Sequence, residues 1–173
     1  MAQDEVGLSG GGSTAVHRRG DLVLRQRRPW SATVMRLLKH LEEGGFTAAP
    51  RPRESGFAPD GREALSFFAG EPAPVCWSAG AAYRVGVILR ELHTATADFV
   101  ISDPTWMPWW GRDVPTQDLL VGHCDAAPWN FLAAVDGLPV ALLDWDTAGA
   151  GRPGVGSGPD GVAECTAPRR RCR

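Results

Sequence analysis

The amino-acid sequence predicts an α+β fold built from short β-hairpins and two amphipathic helices. Three turn signals indicate the hairpins: Gly20, Pro59-Asp60-Gly61 and Asp136-Gly137, each lying between short β-prone runs. Apolar residues at helical spacing indicate helices over residues 31–43 and 79–97. With 173 residues, the chain is long enough for one domain with a substantial core.

The N-terminal elements follow from local signals. A Gly- and Ser-rich stretch, residues 8–14, precedes a first hairpin over residues 14–25. Ser31 is predicted as the N-cap of the first helix, because a serine oxygen can accept from the free N–H groups there, and Gly44-Gly45 ends that helix. Residues 53–68 form the second predicted hairpin.

The following elements lead toward the most informative segment. Closely spaced prolines make residues 71–74 an extended linker before the second helix. Residues 119–122 are predicted as a short buried strand, and residues 130–143 as a hairpin. That last hairpin brings the loop before it and the loop after it to the same end of the sheet. Polar residues in these two loops should therefore lie close together.

The two loops carry residues with a defined chemistry. His123-Cys-Asp125-Ala-Ala-Pro-Trp-Asn130 supplies a carboxylate and an amide, and Asp144 supplies a second carboxylate. Pro128 prevents a regular helix between Asp125 and Asn130, so both side chains can turn toward one point. Phosphoryl transfer needs such groups to position a hydroxyl nucleophile and to hold Mg²⁺ against nucleotide phosphates.

The pattern His123-x-Asp125-x-x-x-x-Asn130, followed by Leu143-Asp144-Trp145-Asp146, resembles the catalytic loop and metal-binding aspartate of the aminoglycoside phosphotransferase family, relatives of the protein kinases. The resemblance extends from about residue 8 to about residue 149. It implies a two-lobed protein-kinase-like fold. It also implies transfer of the γ-phosphoryl group of ATP or GTP to a hydroxyl of a small molecule.

The resemblance assigns a role to each matching position. The implied site residues are Asp125 and His123 in catalysis, Asn130 and Asp144 at Mg²⁺, and Arg25, Gly11 and Gly12 at the nucleotide. Asp125 would be the base or orienting carboxylate, and His123 would support the loop backbone. Arg25 stands where a lysine usually meets the phosphates, and the alternative is a solvated arginine at the end of a strand. The first helix offers that cation only Glu42 and Glu43, which are expected to be solvated instead.

The implied organisation is a small nucleotide-binding lobe over residues 1–70 and a partial large lobe over residues 71–148. Residues 149–173 are rich in Gly, Pro and Arg and are predicted to be a disordered tail, which leaves the C-terminal lobe incomplete. Cys124 replaces the usual glycine of the loop, at a cost of about 1 to 2 kcal/mol if the position needs a positive φ. Asp146 is either a further ligand or a turn acid.

Composition excludes some functions and leaves others open. A net charge of −2 gives no drive toward nucleic acid or membranes, and the four cysteines lack zinc-site spacing. Residues 1–5 lack the basic start of a secretory signal, so a cytoplasmic location is expected. One alternative is a metal-dependent phosphate-ester hydrolase. Its ligands would be His123, Asp125, Asp144 and Asp146. The other alternative is a non-catalytic nucleotide-binding remnant.

Overall fold

A computed structural model describes residues 4–8, 15–73, 77–108 and 120–151. We call the first group of elements the small lobe: β1 (Glu5–Leu8), β2 (Val16–Arg19), β3 (Leu22–Arg25), α1 (Ser31–Glu43), β4 (Pro52–Phe57) and β5 (Glu63–Ser66). We call the second group the large-lobe part: β6 (Glu71–Pro72), α2 (Ala79–Ala95), β7 (Leu120–Gly122), β8 (Phe131–Ala133), β9 (Pro139–Leu142) and β10 (Gly149–Gly151). Together they confirm the predicted α+β class.

The small lobe is a five-stranded antiparallel sheet in the order β1-β2-β3-β5-β4, with α1 packed near β4. Both predicted hairpins are confirmed, with left-handed turn glycines at Gly20 and Gly61. Helix α1 has the predicted bounds. Its apolar stripe is fully or almost fully buried and comprises Val34, Leu37, Leu38 and Leu41. The sequence analysis did not predict strand β1, which pairs with β2 at the sheet edge.

The prediction that Ser31 caps α1 is wrong by one residue. Trp30 occupies the N-cap position without a side-chain hydrogen bond to the helix, and Ser31 is the first helical residue. The Ser31 hydroxyl instead accepts from the backbone N–H of Arg28 at 2.7 Å and donates to the buried carboxylate of Glu63. A buried carboxylate is costly without hydrogen bonds, so this contact outweighs the ordinary capping preference.

The large-lobe part contains a three-stranded sheet in the order β6-β8-β9 and a separate ladder between β7 and β10. The predicted hairpin β8–β9 is confirmed, with Gly137 left-handed in its turn. Helix α2 is also confirmed, although it ends at Ala95, two residues before the predicted end. The predicted linker contributes β6, which pairs with β8 and is therefore tied to the sheet.

The predicted start of the disordered tail is too early. Gly149–Gly151 form β10 and pair with β7 in register from Gly149 opposite Gly122 to Gly151 opposite Leu120. Backbone hydrogen bonds in this ladder need no side chains, which explains why a glycine-rich segment can form a strand there. Residues 152–173 lie outside the described residues.

One cluster of buried side chains connects the elements that surround the candidate site. It runs from α1 and α2 to Phe131, Leu142 and Trp145 in and after the β8–β9 hairpin. The loops on either side of that hairpin are therefore anchored to packed structure on both sides. No helix in the described part of the chain is both long and apolar enough to cross a membrane.

Candidate functional site

The two loops predicted to carry the site are joined by backbone and side-chain hydrogen bonds. The first loop, residues 123–130, connects β7 to β8, and the second loop, residues 143–148, connects β9 to β10. The Leu143 N–H donates to the Asn130 carbonyl oxygen at 2.7 Å, and the Thr147 hydroxyl donates to the His123 carbonyl oxygen at 3.0 Å. Because the strands beside the loops are also paired, the loops have little freedom to separate.

His123 lies at the centre of this connection and is 2% exposed. Its Nε2 lies 2.7 Å from the Leu143 carbonyl oxygen, to which it can donate, and its Nδ1 accepts from the Asp125 N–H at 3.3 Å. The Trp145 ring packs edge-on at 4.8 Å between centroids. Burial lowers the pKa of His123, which favours the neutral ring with its proton on Nε2. This geometry suits the role of loop support.

Asp125 and Asn130 contact each other directly. The Asn130 side-chain nitrogen donates to the Asp125 carbonyl oxygen at 2.8 Å and to Asp125 Oδ2 at 3.0 Å. These bonds fix the orientation of the Asp125 carboxylate. Because the side-chain nitrogen is used in these bonds, the amide oxygen is the side-chain atom of Asn130 that can coordinate a cation.

Asp144 follows β9 in a left-handed conformation, with φ 57° and ψ 69°. Its side chain is 59% exposed, and its Oδ1 lies 3.5 Å from Arg25 Nη1. Within the described residues, no group of three or more His, Cys, Asp or Glu side chains could enclose a metal ion. Mg²⁺ at a nucleotide needs only one or two protein ligands besides phosphates and water. Asn130 and Asp144 carry oxygens of the type that such an ion binds, and their assignment to Mg²⁺ stays a prediction.

Arg25 connects the small lobe to the second loop. Its Nε donates to Glu63, its Nη2 donates to Asp146 Oδ1 at 2.6 Å, and Asp146 also accepts from Trp30 Nε1 at 3.2 Å. Burial lowers the pKa of the guanidinium, but the carboxylates of Glu63 and Asp146 outweigh it and raise the pKa overall. Asp146 is therefore an ion-pair partner of Arg25. The sequence had left open whether Asp146 is a further ligand or a turn acid.

The structure connects most of the predicted site residues in one chain of contacts. Asp125 touches Asn130, the Asn130 backbone is bonded to the residue before Asp144, and Asp144 lies beside Arg25. Gly11 and Gly12 lie outside the described residues, so their assignment to the nucleotide stays a prediction.

Sequence reasoning missed Glu63, the buried partner of Arg25. The two residues are opposite each other in the ladder between β3 and β5. Residue 63 falls within the second predicted hairpin, but local sequence patterns do not indicate which strand lies beside that hairpin. The available signal was an acid directly before the apolar pair Ala64-Leu65.

Solved structures with the same fold include phosphotransferases of several kinds. A macrolide 2′-phosphotransferase from Brachybacterium faecium gives a TM-score of 0.58 at 21% identity, with 87% of this chain and 68% of that chain covered. A choline/ethanolamine kinase family protein from Mesorhizobium loti gives 0.56 at 21% identity, with 88% and 60% covered. The complex of gentamicin with APH(2″)-IIa gives 0.62 at 12% identity, with 93% and 73% covered. The fold is protein-kinase-like.

A curated relative is more similar in sequence. The trifolitoxin immunity protein of Rhizobium leguminosarum bv. trifolii is 46% identical over 156 residues, which are 88% of this chain and 59% of that protein. The chain thus spans about three fifths of the length of this relative. No protein-family model matches the sequence.

Proposed function

We propose that this chain is the nucleotide-binding and catalytic-loop part of a phosphotransferase that moves the γ-phosphoryl group of ATP or GTP to a hydroxyl of a small molecule. The observation that carries the proposal is the chain of contacts from Asp125 through Asn130 to Asp144 and Arg25. It combines an orienting carboxylate, two oxygen ligands and a guanidinium. The kinase-like fold supports the same reading, since solved structures that share it include phosphotransferases.

In the proposed reaction, Asp125 orients the acceptor hydroxyl and receives its proton. The acceptor oxygen forms a bond to the γ-phosphorus as the bond to the bridging oxygen of the nucleotide breaks, and the nucleoside diphosphate leaves. Little covalent work falls to the protein, so catalysis depends on positioning and charge. Asn130 contributes by holding Asp125 Oδ2 through its side-chain nitrogen.

The nucleotide would be held by groups from both lobes. Arg25 offers a cation for phosphate oxygens, and Asn130 and Asp144 would bind the magnesium ion that accompanies them. That ion would neutralise charge on the phosphates during transfer. The similar structures include complexes with GDP, ADP and ATP, which supports a purine nucleotide as the donor.

For the acceptor, we propose a hydroxyl of a toxic compound. The name of the 46% identical relative refers to immunity against trifolitoxin, and similar structures include complexes with gentamicin and with kanamycin. Phosphorylation adds about two negative charges at neutral pH, which would change how a toxic compound fits its target. This assignment concerns a whole protein such as the relative, of whose length the chain spans 59%.

The geometry disfavours the metal-dependent hydrolase. Both ring nitrogens of His123 are engaged by backbone groups, at Leu143 and Asp125. Asp146 is occupied by Arg25 and Trp30. Two of the four ligands which that hydrolase would need are therefore committed to other contacts.

The direct test is phosphorylation of an acceptor by the purified chain with Mg·ATP or Mg·GTP, followed by mass spectrometry of the acceptor and by nucleoside diphosphate release. The acceptor panel should contain amino sugars, macrolides and amino alcohols. Asp125→Asn should reduce turnover by about 10²- to 10⁴-fold, because it removes the proton acceptor at nearly constant shape. Asp136→Asn, in the exposed hairpin turn, is the matched control and should retain the rate.

Three outcomes would contradict the proposal. Equal rates for the wild type and Asp125→Asn would remove the catalytic assignment. Release of inorganic phosphate without any phosphorylated acceptor would favour the hydrolase instead. Nucleotide binding with no turnover on any acceptor would favour the non-catalytic remnant.

A further inference from the structure

We propose that Glu63, on strand β5, is a positioning residue that orients Arg25 toward the nucleotide phosphates. In kinase-like proteins, a glutamate on the first helix usually has this task. The inference rests on the proposed function, because it assigns Arg25 to phosphate. It adds a residue that neither the sequence motif nor the resemblance includes.

The sheet brings the two side chains together. Arg25 and Glu63 are directly opposite each other in the antiparallel ladder of β3 and β5, so their side chains leave the same face. Glu63 is fully buried, with 0% exposure. A carboxylate at such a position persists only with a charged partner and further hydrogen bonds, and Arg25 and Ser31 supply them.

Both oxygens of Glu63 have a defined contact. Oε2 accepts from Arg25 Nε, and Oε1 accepts from the Ser31 hydroxyl. That hydroxyl is itself held by the Arg28 N–H at 2.7 Å. The carboxylate is therefore fixed at two points, at the start of α1 and in the sheet.

This arrangement determines which edge of the guanidinium faces the second loop. With Nε held by Glu63, the terminal nitrogens of the planar group reach across to Asp146 at 2.6 Å and to Asp144 at 3.5 Å. The longer contact joins Nη1 of Arg25 to Asp144, which is a proposed magnesium ligand. A phosphate oxygen bound there would meet a nitrogen already oriented toward it.

Helix α1 does not supply the partner. Glu42 lies 3.9 Å from Arg51 Nε, and Glu43 lies 3.9 Å from Lys39 Nζ with two thirds of its side chain exposed. The residue that α1 does contribute is Ser31, which acts on Glu63. The helix thus influences Arg25 through one hydroxyl group.

The test measures the dissociation constant of Mg·ADP by calorimetric titration of the full chain. The protein concentration is corrected for the fraction of molecules that bind. Glu63→Gln keeps the shape but removes the charge, and it should weaken binding by about ten- to a hundredfold, as expected for a residue that orients a ligand-binding group. Arg25→Gln should weaken binding at least as much. Glu42→Gln is the matched control and should bind as the wild type does.

The double variant Arg25→Gln/Glu63→Gln separates positioning from a purely structural role. If Glu63 acts through Arg25, the double variant binds as Arg25→Gln does, because no guanidinium remains to be aimed. Losses that multiply would overturn the inference. Removing both buried charges together also lowers the risk of unfolding.

Other results distinguish this inference from the proposed function. A wild type that does not bind Mg·ADP overturns both. A wild type that binds, together with Glu63→Gln binding equally well, overturns the inference alone. Should Glu63→Gln not fold, Ser31→Ala replaces it and should weaken binding by about two- to tenfold. Unchanged binding by Ser31→Ala would then overturn the inference.

Discussion

The small lobe and the two loops of the candidate site use left-handed backbone in different ways. In the small lobe, glycines take most such positions, with Gly20, Gly56 and Gly61 in or beside its hairpins. In the loops, residues with side chains take them: Cys124 has φ 63° and Asp144 has φ 57°. Among the described residues of the small lobe, Glu54, in the irregular strand β4, is the exception.

The difference separates structural from chemical demands on the same backbone geometry. Glycine enters the left-handed region without steric cost, so it is the expected choice where only a turn is needed. Asp144 has to supply a carboxylate in the proposed site, and aspartate tolerates this region better than most residues. Cys124 has no such chemical task in the proposed function. The comparison therefore predicts opposite effects for substitutions in the two regions.

The largest effect is expected for Gly56→Ala in the small lobe. Gly56 has φ 87°, and an added Cβ would lie 2.9 Å from Cγ of Met35 on helix α1. Left-handed strain and overpacking together should destabilise the protein by about 2 to 4 kcal/mol. Chemical denaturation would measure this change in the free energy of unfolding.

Gly7→Ala is the matched control for Gly56→Ala. An added Cβ at Gly7 meets no atom within 4 Å, and the residue lies in the exposed edge strand β1. Its stability should stay within about 0.5 kcal/mol of the wild type. Similar losses in the two variants would show that glycine at Gly56 is not required by geometry.

How much the sequence predicted also differs between the two regions. The helix over residues 31–43 and all three hairpins follow from neighbouring residues, and the structure confirms them. The class of fold was likewise predicted. These features depend on local periodicity and turn chemistry, which a single sequence contains.

The missed features depend on contacts between distant residues. Glu63 pairs with Arg25 because β5 lies next to β3, and Ser31 turns from capping to that carboxylate. Strand β10 forms by pairing with β7, which lies much earlier in the chain. In each case the partner is far along the chain, so local preferences cannot reveal it.

A medium effect is expected from His123, which joins the two loops. Burial lowers its pKa, so the unfolded chain takes up a proton more readily than the folded protein does. Stability should therefore fall as the pH decreases below about 6.5, the ordinary pKa of histidine, and the loss should continue down to the folded pKa. The slope from one such group can approach about 1.4 kcal/mol per pH unit.

Urea denaturation at pH values from about 5 to about 8 would measure this pH dependence of the free energy of unfolding, because the ordinary pKa of histidine lies within that range. His123→Gln should flatten the pH dependence. Burial also lowers the pKa of His93, but that side chain is only half-buried, so His93→Gln should retain most of the slope. An unchanged slope in His123→Gln would show that the buried ring does not control this titration.

The smallest effect is expected for Cys124→Gly. This substitution removes a Cβ from a left-handed position, whereas Gly56→Ala adds one. Relief of left-handed strain should contribute about 1 to 2 kcal/mol, and the greater freedom of glycine in the unfolded chain offsets about half of it. The net gain of about 0.5 to 1 kcal/mol should raise Tm by about 1 to 4 °C in a protein of this size. Cys124→Ala keeps the strained Cβ and loses only the thiol, which lies 3.5 Å from the Gly149 carbonyl oxygen. It should therefore give no gain, and an equal rise in Tm for both variants would locate the effect in the thiol and not in the backbone.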